Sequence, residues 1–208
     1  MTTLEIIGLA PSTYTRAVLM ACEEKGAPYR LTVARPHSPP VNAIHPFGKI
    51  PVMRHGDIEL CESKAIANYL DKVFDGPKLF PDEPLDAARA EQWISIVNTM
   101  MDMPMVRNYV LKYAFPEDGK PDRTAIDASV ETMKTQLPIL DDALGRTGNL
   151  AGREFSFADI NLMVILYYLR QFPESAALLQ QTKNLEAYYA QHSERPSFKN
   201  TIPPRPGT

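Results

Sequence analysis

Apolar positions follow one rhythm in the first third of the chain and another in the rest. Leu4, Ile6 and Ile7 form a short apolar run, which predicts a buried strand ended by Ala10-Pro11. From Thr15 to Lys25 the run RAVLMACEEK is rich in helix formers, and Gly26 stands where a C′ glycine ends a helix. Tyr29, Leu31 and Val33 alternate as a second strand does, and the proline-dense RPHSPP follows as a loop. Pro51-Val52-Met53 and Ile58-Glu59-Leu60 flank His55-Gly56-Asp57, which predicts a hairpin. A helix begins at Ser63, with Ile66, Leu70, Val73 and Phe74 on one apolar stripe.

The rhythm breaks at Asp75 to Pro84 (DGPKLFPDEP), the best linker in the chain. Every periodic segment beyond it has helical spacing. One runs from Leu85 toward Asp102, where Pro104 predicts a break or kink, and another continues through Val106 and Tyr113. After a loop from Pro116 to Pro121, a helix spans about Arg123 to Leu144, with a kink expected at Pro138. Gly145, Gly148 and Gly152 mark a loop, and Ser156-Phe-Ala-Asp159 has the form of a capping box before an apolar helix. A last helix covers about Lys183 to His192, and the tail IPPRPGT predicts no regular structure. The pattern is a small α/β domain followed by an all-helical one.

Composition narrows the function classes. A chain of 208 residues is one large domain or two small ones, and buries about 70% of its unfolded surface without disulfide or metal staples. Prolines number 19, about twice the usual share of ~5%. The formal net charge of −3 lacks the basic footprint of a nucleic-acid or polybasic membrane binder. Cys22 and Cys61 form no CxxC, and His37, His45, His55 and His192 show no HxH or HExxH spacing, so no metal site is expected. Two cysteines also make no disulfide framework, which favours a reducing compartment. The N-terminus carries Glu5 within its apolar run and no basic region, unlike a signal peptide. The longest apolar run, Ile160 to Leu169, falls short of the ~20 residues that span a bilayer. A soluble cytoplasmic protein is the expectation.

Three segments can carry chemistry. Ala10-Pro-Ser-Thr-Tyr-Thr-Arg16 joins the first strand to the first helix, whose unpaired N–H groups and partial positive charge favour an anion such as a thiolate. A hydroxyl there can donate to the same anion; alternatively Ser12, Thr13 or Thr15 only caps the helix, and neighbouring residues can do both. In Asn42-Ala-Ile-His-Pro-Phe-Gly-Lys-Ile-Pro-Val52, a cis Ile50–Pro51 bond would expose the backbone of Val52 to pair with an extended, peptide-like ligand. A trans edge proline is the ordinary alternative. In Cys61-Glu62-Ser63-Lys64, Ser63 and the N–H groups after it can hold a carboxylate while Glu62 holds an ammonium, which suits an amino-acid end. The alternative is a serine cap beside a solvated glutamate.

In order and spacing these segments resemble the cytosolic glutathione S-transferases: PSTYTR after the first strand, HPFGKIPV before the third, CESKAIANYL at the last N-terminal helix and SFADINL in the helical half. The resemblance covers nearly the whole chain and is to serine-type, phi- or theta-like bacterial members. It implies an α/β thioredoxin-like N-terminal domain at 1–76 that binds glutathione, a linker at 77–84, and an all-α C-terminal domain at 85–208 that contributes the electrophile site. It assigns Ser12 the catalytic role of donating a hydrogen bond to the glutathione sulfur. Lys49 and His37 would face the glycine end or peptide backbone, Ile50, Pro51 and Val52 would bind glutathione with Val52 pairing through its backbone after a cis Pro51, and Glu62 and Ser63 would bind the γ-glutamyl group. His45 stands where many relatives have Asn and receives no role. The thiol-transferase cysteine at the first helix start is missing, with Cys22 about two turns later and read as core, and so is the Ser-Ser-Cys of zeta-type isomerases. Tyr109 and Tyr113, four apart on one helix face, would line an electrophile pocket between the domains, with inter-helix packing the alternative. Met100, Met101, Met103 and Met105 fit either pocket lining or core.

The implied activity is a glutathione S-transferase whose thiolate attacks small electrophiles, with glutathione as co-substrate, no metal, a homodimeric partner, and neither nucleic acid nor membrane. The alternatives are another glutathione-dependent reaction (peroxidase, dehalogenase, isomerase) or a binding protein of the same fold that has lost the chemistry.

Overall fold

The computed structural model describes residues 3–116 and 119–204. The middle of the Pro116–Pro121 loop and the tail from Arg205 lie outside them. The chain divides into two compact units: residues up to Pro81 together with the segment from Glu194 onward, and Asp82–Ser193.

In the first unit, β1 (Leu4–Gly8), α1 (Thr13–Glu24) and β2 (Tyr29–Val33) make a parallel crossover, while β3 (Val52–His55) and β4 (Ile58–Cys61) form the expected hairpin around Gly56-Asp57. The strand order is β2-β1-β3-β4, with β3 antiparallel to β1. This mixed sheet with its helices is the thioredoxin-like arrangement expected. β1 is an inner strand covered on both faces, which is why it reads as an almost unbroken apolar run. β2 lies at an edge, so the alternation expected there fails at Val33, which is 75% exposed. Helices α1 and α3 (Ser63–Val73) pack together, and Cys22 is buried among the α1 core residues as expected. The short α2 (Pro39–Asn42) contributes Val41 to a second cluster with Ile7, Ala34 and Val52.

The segment read as a linker is anchored at its start. Lys25 Nζ, buried, pairs with Asp71 at 3.1 Å and donates to the carbonyls of Gly76 at 3.2 Å and Pro77 at 3.0 Å. Asp71 in turn accepts from the Leu79 amide at 2.9 Å. Gly76, at φ 113°, has the Glu24 carbonyl 2.8 Å from where a Cβ would lie, so no side chain fits.

The segment after Glu194 departs from the sequence reading, which placed it in the helical domain. α10 (Pro196–Asn200) packs on α1: the Arg195 guanidinium donates two 2.7 Å bonds to Glu24, and Arg16, fully buried, stacks over Phe198 with its Cζ 4.5 Å from the ring centroid. Partners this far apart in sequence leave no periodic signal.

The second unit is all helical. Of the break or kink expected at Pro104, the chain shows no break: α4 (Pro84–Ile96) runs into π-helical turns over Val97–Val110 and on into α5 (Leu111–Ala114). The missing proline N–H costs one helical bond there, and the π-turns accommodate it in a continuous helical path. α6 (Arg123–Thr147) absorbs Pro138 and extends past the expected end, so Gly145 is helical rather than loop; Asn184 Nδ2 stands 2.7 Å from where a Cβ on Gly145 would lie. Gly148, at φ 82°, ends the helix. α7 (Phe157–Leu169) is buried along nearly all its length and starts with the expected capping box: Asp159 accepts from the Ser156 amide at 2.9 Å and its hydroxyl at 2.7 Å. α8 (Pro173–Leu179) and α9 (Lys183–His192) complete the unit.

Candidate functional site

Ser12 precedes α1 in extended backbone, and its Oγ accepts from the Thr15 amide at 3.4 Å. Both readings of this hydroxyl are therefore compatible in one residue. The oxygen caps the helix by accepting, and the O–H hydrogen keeps its capacity to donate. Ser12 is half-buried, and no acidic residue occupies the first turn, so the partial positive charge of the helix start is not offset there.

The loop before β3 is tied by three residues. The His37 amide donates to the Gly48 carbonyl at 2.8 Å, and Asn42 Nδ2 donates to the His37 carbonyl at 2.9 Å. Gly48, at φ 62°, has His37 Nδ1 2.4 Å from where a Cβ would sit, so only glycine lets the imidazole lie against this backbone. The closure brings exposed His37 to the residue preceding Lys49, itself exposed. The Ile50–Pro51 peptide is cis. Val52 differs from expectation: it pairs with Ile7 on one side and Cys61 on the other and is fully buried, because β3 is an inner strand, and Ile50 is the partly exposed residue of the three.

At the start of α3, Glu62 has φ 70° and ψ 114°, a sparsely populated combination for a residue with a Cβ. It holds the Glu62 side chain 72% exposed while Ser63 begins the helix at 7% exposure. The Glu62 side chain does not cap this helix, and the first turn holds no acidic residue, so its leading N–H groups favour an anion beside the Glu62 carboxylate. A hollow of about 480 Å³ opens here, lined by Glu62, Lys64, Ala65 and Asn68. Sequence reasoning gave His45 no role. The structure buries it at 3% exposure, with Nε2 3.3 Å from Glu62 Oε1 and Nδ1 accepting from the Phe47 amide at 3.0 Å.

Two family models match the chain: the N-terminal domain of glutathione S-transferase over residues 7–78 and its C-terminal domain over residues 100–196. Glutathione S-transferase A of Pleuronectes platessa is 32% identical over 174 residues, 79% of this chain and 72% of that protein. The chain belongs to the glutathione S-transferase family. Glutathione S-transferase GstB of Escherichia coli (strain K12) is 28% identical over 92% of this chain and 93% of its own. The crystal structure of poplar glutathione transferase F1 superposes with a TM-score of 0.87 at 28% identity, covering 97% of each chain. The four sequence motifs fall where the structure forms the α1 start, the loop before β3, the α3 start and the α7 capping box.

The two tyrosines expected at the electrophile pocket of this glutathione S-transferase, Tyr109 and Tyr113, lie in the helical unit. Tyr109 is fully buried; its hydroxyl donates to Glu174 Oε2 at 3.0 Å and accepts from the Ser175 amide at 3.1 Å, and burial pushes its pKa up to about 12. Tyr113, half-buried, stacks on Phe172 at 4.6 Å between ring centroids and donates to Glu174 at 2.7 Å. The packing alternative thus describes Tyr109, and Tyr113 is the one with surface. The methionines divide likewise: Met101 and Met105 are core, Met100 and Met103 are exposed. Among the described residues no group of three or more His, Cys, Asp or Glu is placed to hold a metal ion, and no helix is long and apolar enough to cross a membrane.

Proposed function

We propose that this glutathione S-transferase is of the serine type and that Ser12 ionises the co-substrate thiol. A free thiol has a pKa of about 8.5, so little of it is thiolate near pH 7. A hydrogen bond from Ser12 Oγ to the sulfur, together with the α1 helix field, favours the charged form. The thiol proton passes to water, and the sulfur lone pair forms the new bond to an electrophilic carbon, displacing a leaving group or adding across a polarised double bond. Ser12 is a donor throughout and not the nucleophile.

The observation that carries this reading is the Ser12 cap: its oxygen accepts from Thr15, which leaves the hydrogen to serve a ligand. Around it, Glu62 takes the γ-glutamyl ammonium, Ser63 and the first α3 amides take the neighbouring carboxylate, and Ile50, before the cis Pro51, runs beside the cysteinyl portion. His37 and Lys49 take the glycine carboxylate. The second substrate is a small apolar electrophile for which Tyr113 supplies an aromatic face. A cytoplasmic homodimer is part of the same proposal, carried over from the family resemblance.

Turnover of a chloronitrobenzene or an isothiocyanate with glutathione tests it. Ser12→Ala should lose roughly ten- to hundredfold in rate, the worth of a hydrogen bond to a charged group. Unchanged turnover removes Ser12 from the mechanism, and undetectable glutathione binding removes the reading altogether.

A further inference from the structure

His45 carries no assigned role, yet among the bonds and ion pairs described it is the buried side chain that stands within ion-pair distance of the exposed Glu62 carboxylate. Its ring has a defined orientation. The Phe47 amide can only donate, so Nδ1 accepts its 3.0 Å bond, and the ring proton sits on Nε2. Nε2–H therefore faces Glu62 Oε1 across 3.3 Å, within ion-pair distance. The ring edge also packs against Phe47 in a T-shaped arrangement with centroids 6.2 Å apart, and only 3% of His45 is exposed, so the donor itself is held in place.

Glu62 is the opposite case. Its side chain is 72% exposed, and without a tether it would sample many rotamers, which a ligand would have to freeze on binding. The backbone at φ 70° fixes where the side chain starts, and His45 fixes where its carboxylate ends. One oxygen is engaged by the imidazole, and the remaining carboxylate surface keeps its negative charge and its accepting lone pairs.

We propose that His45 is a positioning residue for the amine end of glutathione: its buried Nε2–H holds the Glu62 carboxylate in the orientation that accepts the γ-glutamyl ammonium. This rests on the reading of Glu62 as the ammonium partner and adds to it a specificity device in a different loop. The loop before β3 thereby sets the preference of the α3 start for a ligand with a free α-amino group.

Calorimetry on the full chain separates the two ideas, using glutathione and its analogue lacking the γ-glutamyl α-amino group. The variants are His45→Asn, whose amide can still accept from Phe47 but is too short to reach Glu62, and His45→Gln, whose longer amide can donate to it. Wild type should prefer glutathione over the analogue by roughly tenfold or more, His45→Asn should lose most of that preference, and His45→Gln should regain most of it. Affinity for the analogue should barely change across the series, which a general loosening of the loop would not produce. Full preference in both variants overturns the role of His45 and leaves the Glu62 reading intact. Equal binding of the two ligands by wild type overturns the Glu62 reading itself, and this inference with it.

Discussion

Thr15 Oγ1 stands 2.6 Å from the point where a Cβ on Gly8 would lie. The end of β1 and the first turn of α1 are thus in contact across a position that has no room for even a methyl group. That contact sets the height at which α1 begins, and with it the position of Ser12, three residues before Thr15.

Gly8→Ala should destabilise the chain by about 1–3 kcal/mol, the usual cost of forcing a group into a filled site. Thr15 Oγ1 is buried without a hydrogen-bond partner among the described residues, so Thr15→Ala gives up no described side-chain bond and opens the space. The double variant Gly8→Ala/Thr15→Ala should recover most of the loss. Urea denaturation of the four proteins checks this, and additive losses in the double variant would count against the contact.

In the proposed reading, Glu62 exchanges stability for a ligand contact. Its φ of 70° is cheap for glycine and costly for a residue with a Cβ, on the order of 1–3 kcal/mol. Glu62→Gly should leave stability unchanged or raise it by up to about 1 kcal/mol, while glutathione affinity falls. Thermal unfolding paired with glutathione titration reads both sides, and a variant that is less stable yet binds normally would be inconsistent with this account.

Some of this is legible from residues alone, and the reason differs by element. α1, the β3–β4 hairpin and the α7 capping box have local signals: a run of helix formers ended by Gly26, a Gly-Asp turn between apolar pairs, and Ser156 spaced three residues from Asp159. Ser12, Glu62 and Ser63 can be named because their neighbours in the chain form the start of a helix. His45 cannot, because its 3.3 Å approach to Glu62 crosses from one loop to another. The docking of α10 on α1 through Phe198 and Arg16 escapes the sequence for the same reason. Pro104 is legible only in part, since its local rule predicts a break or kink and the chain passes through it in π-turns without a break.

The Glu174 cluster gives the helical unit a defined response to acid. Burial alone would raise this carboxyl, but hydrogen bonds from Tyr113, Arg123 and Tyr109 outweigh it and hold the pKa at about 2. The value lies below the ~4.3 of an unfolded glutamate, so its stabilisation is complete above that range and is lost as pH falls toward about 2. Glu174→Gln should therefore be less stable than wild type near neutrality, and the gap should close between about pH 5 and pH 2. Thermal unfolding across that range checks it; a gap independent of pH would contradict it.

The ionisation of bound glutathione tests the central claim most directly. The ultraviolet absorbance of its thiolate, followed against pH in the complexes with wild type and Ser12→Ala, reports the thiol pKa at the site. We expect wild type to titrate at least about one unit below the free value of ~8.5, and Ser12→Ala to move back up by about one unit. Superimposable titrations in the two proteins would show that the Ser12 hydroxyl does not hold the sulfur.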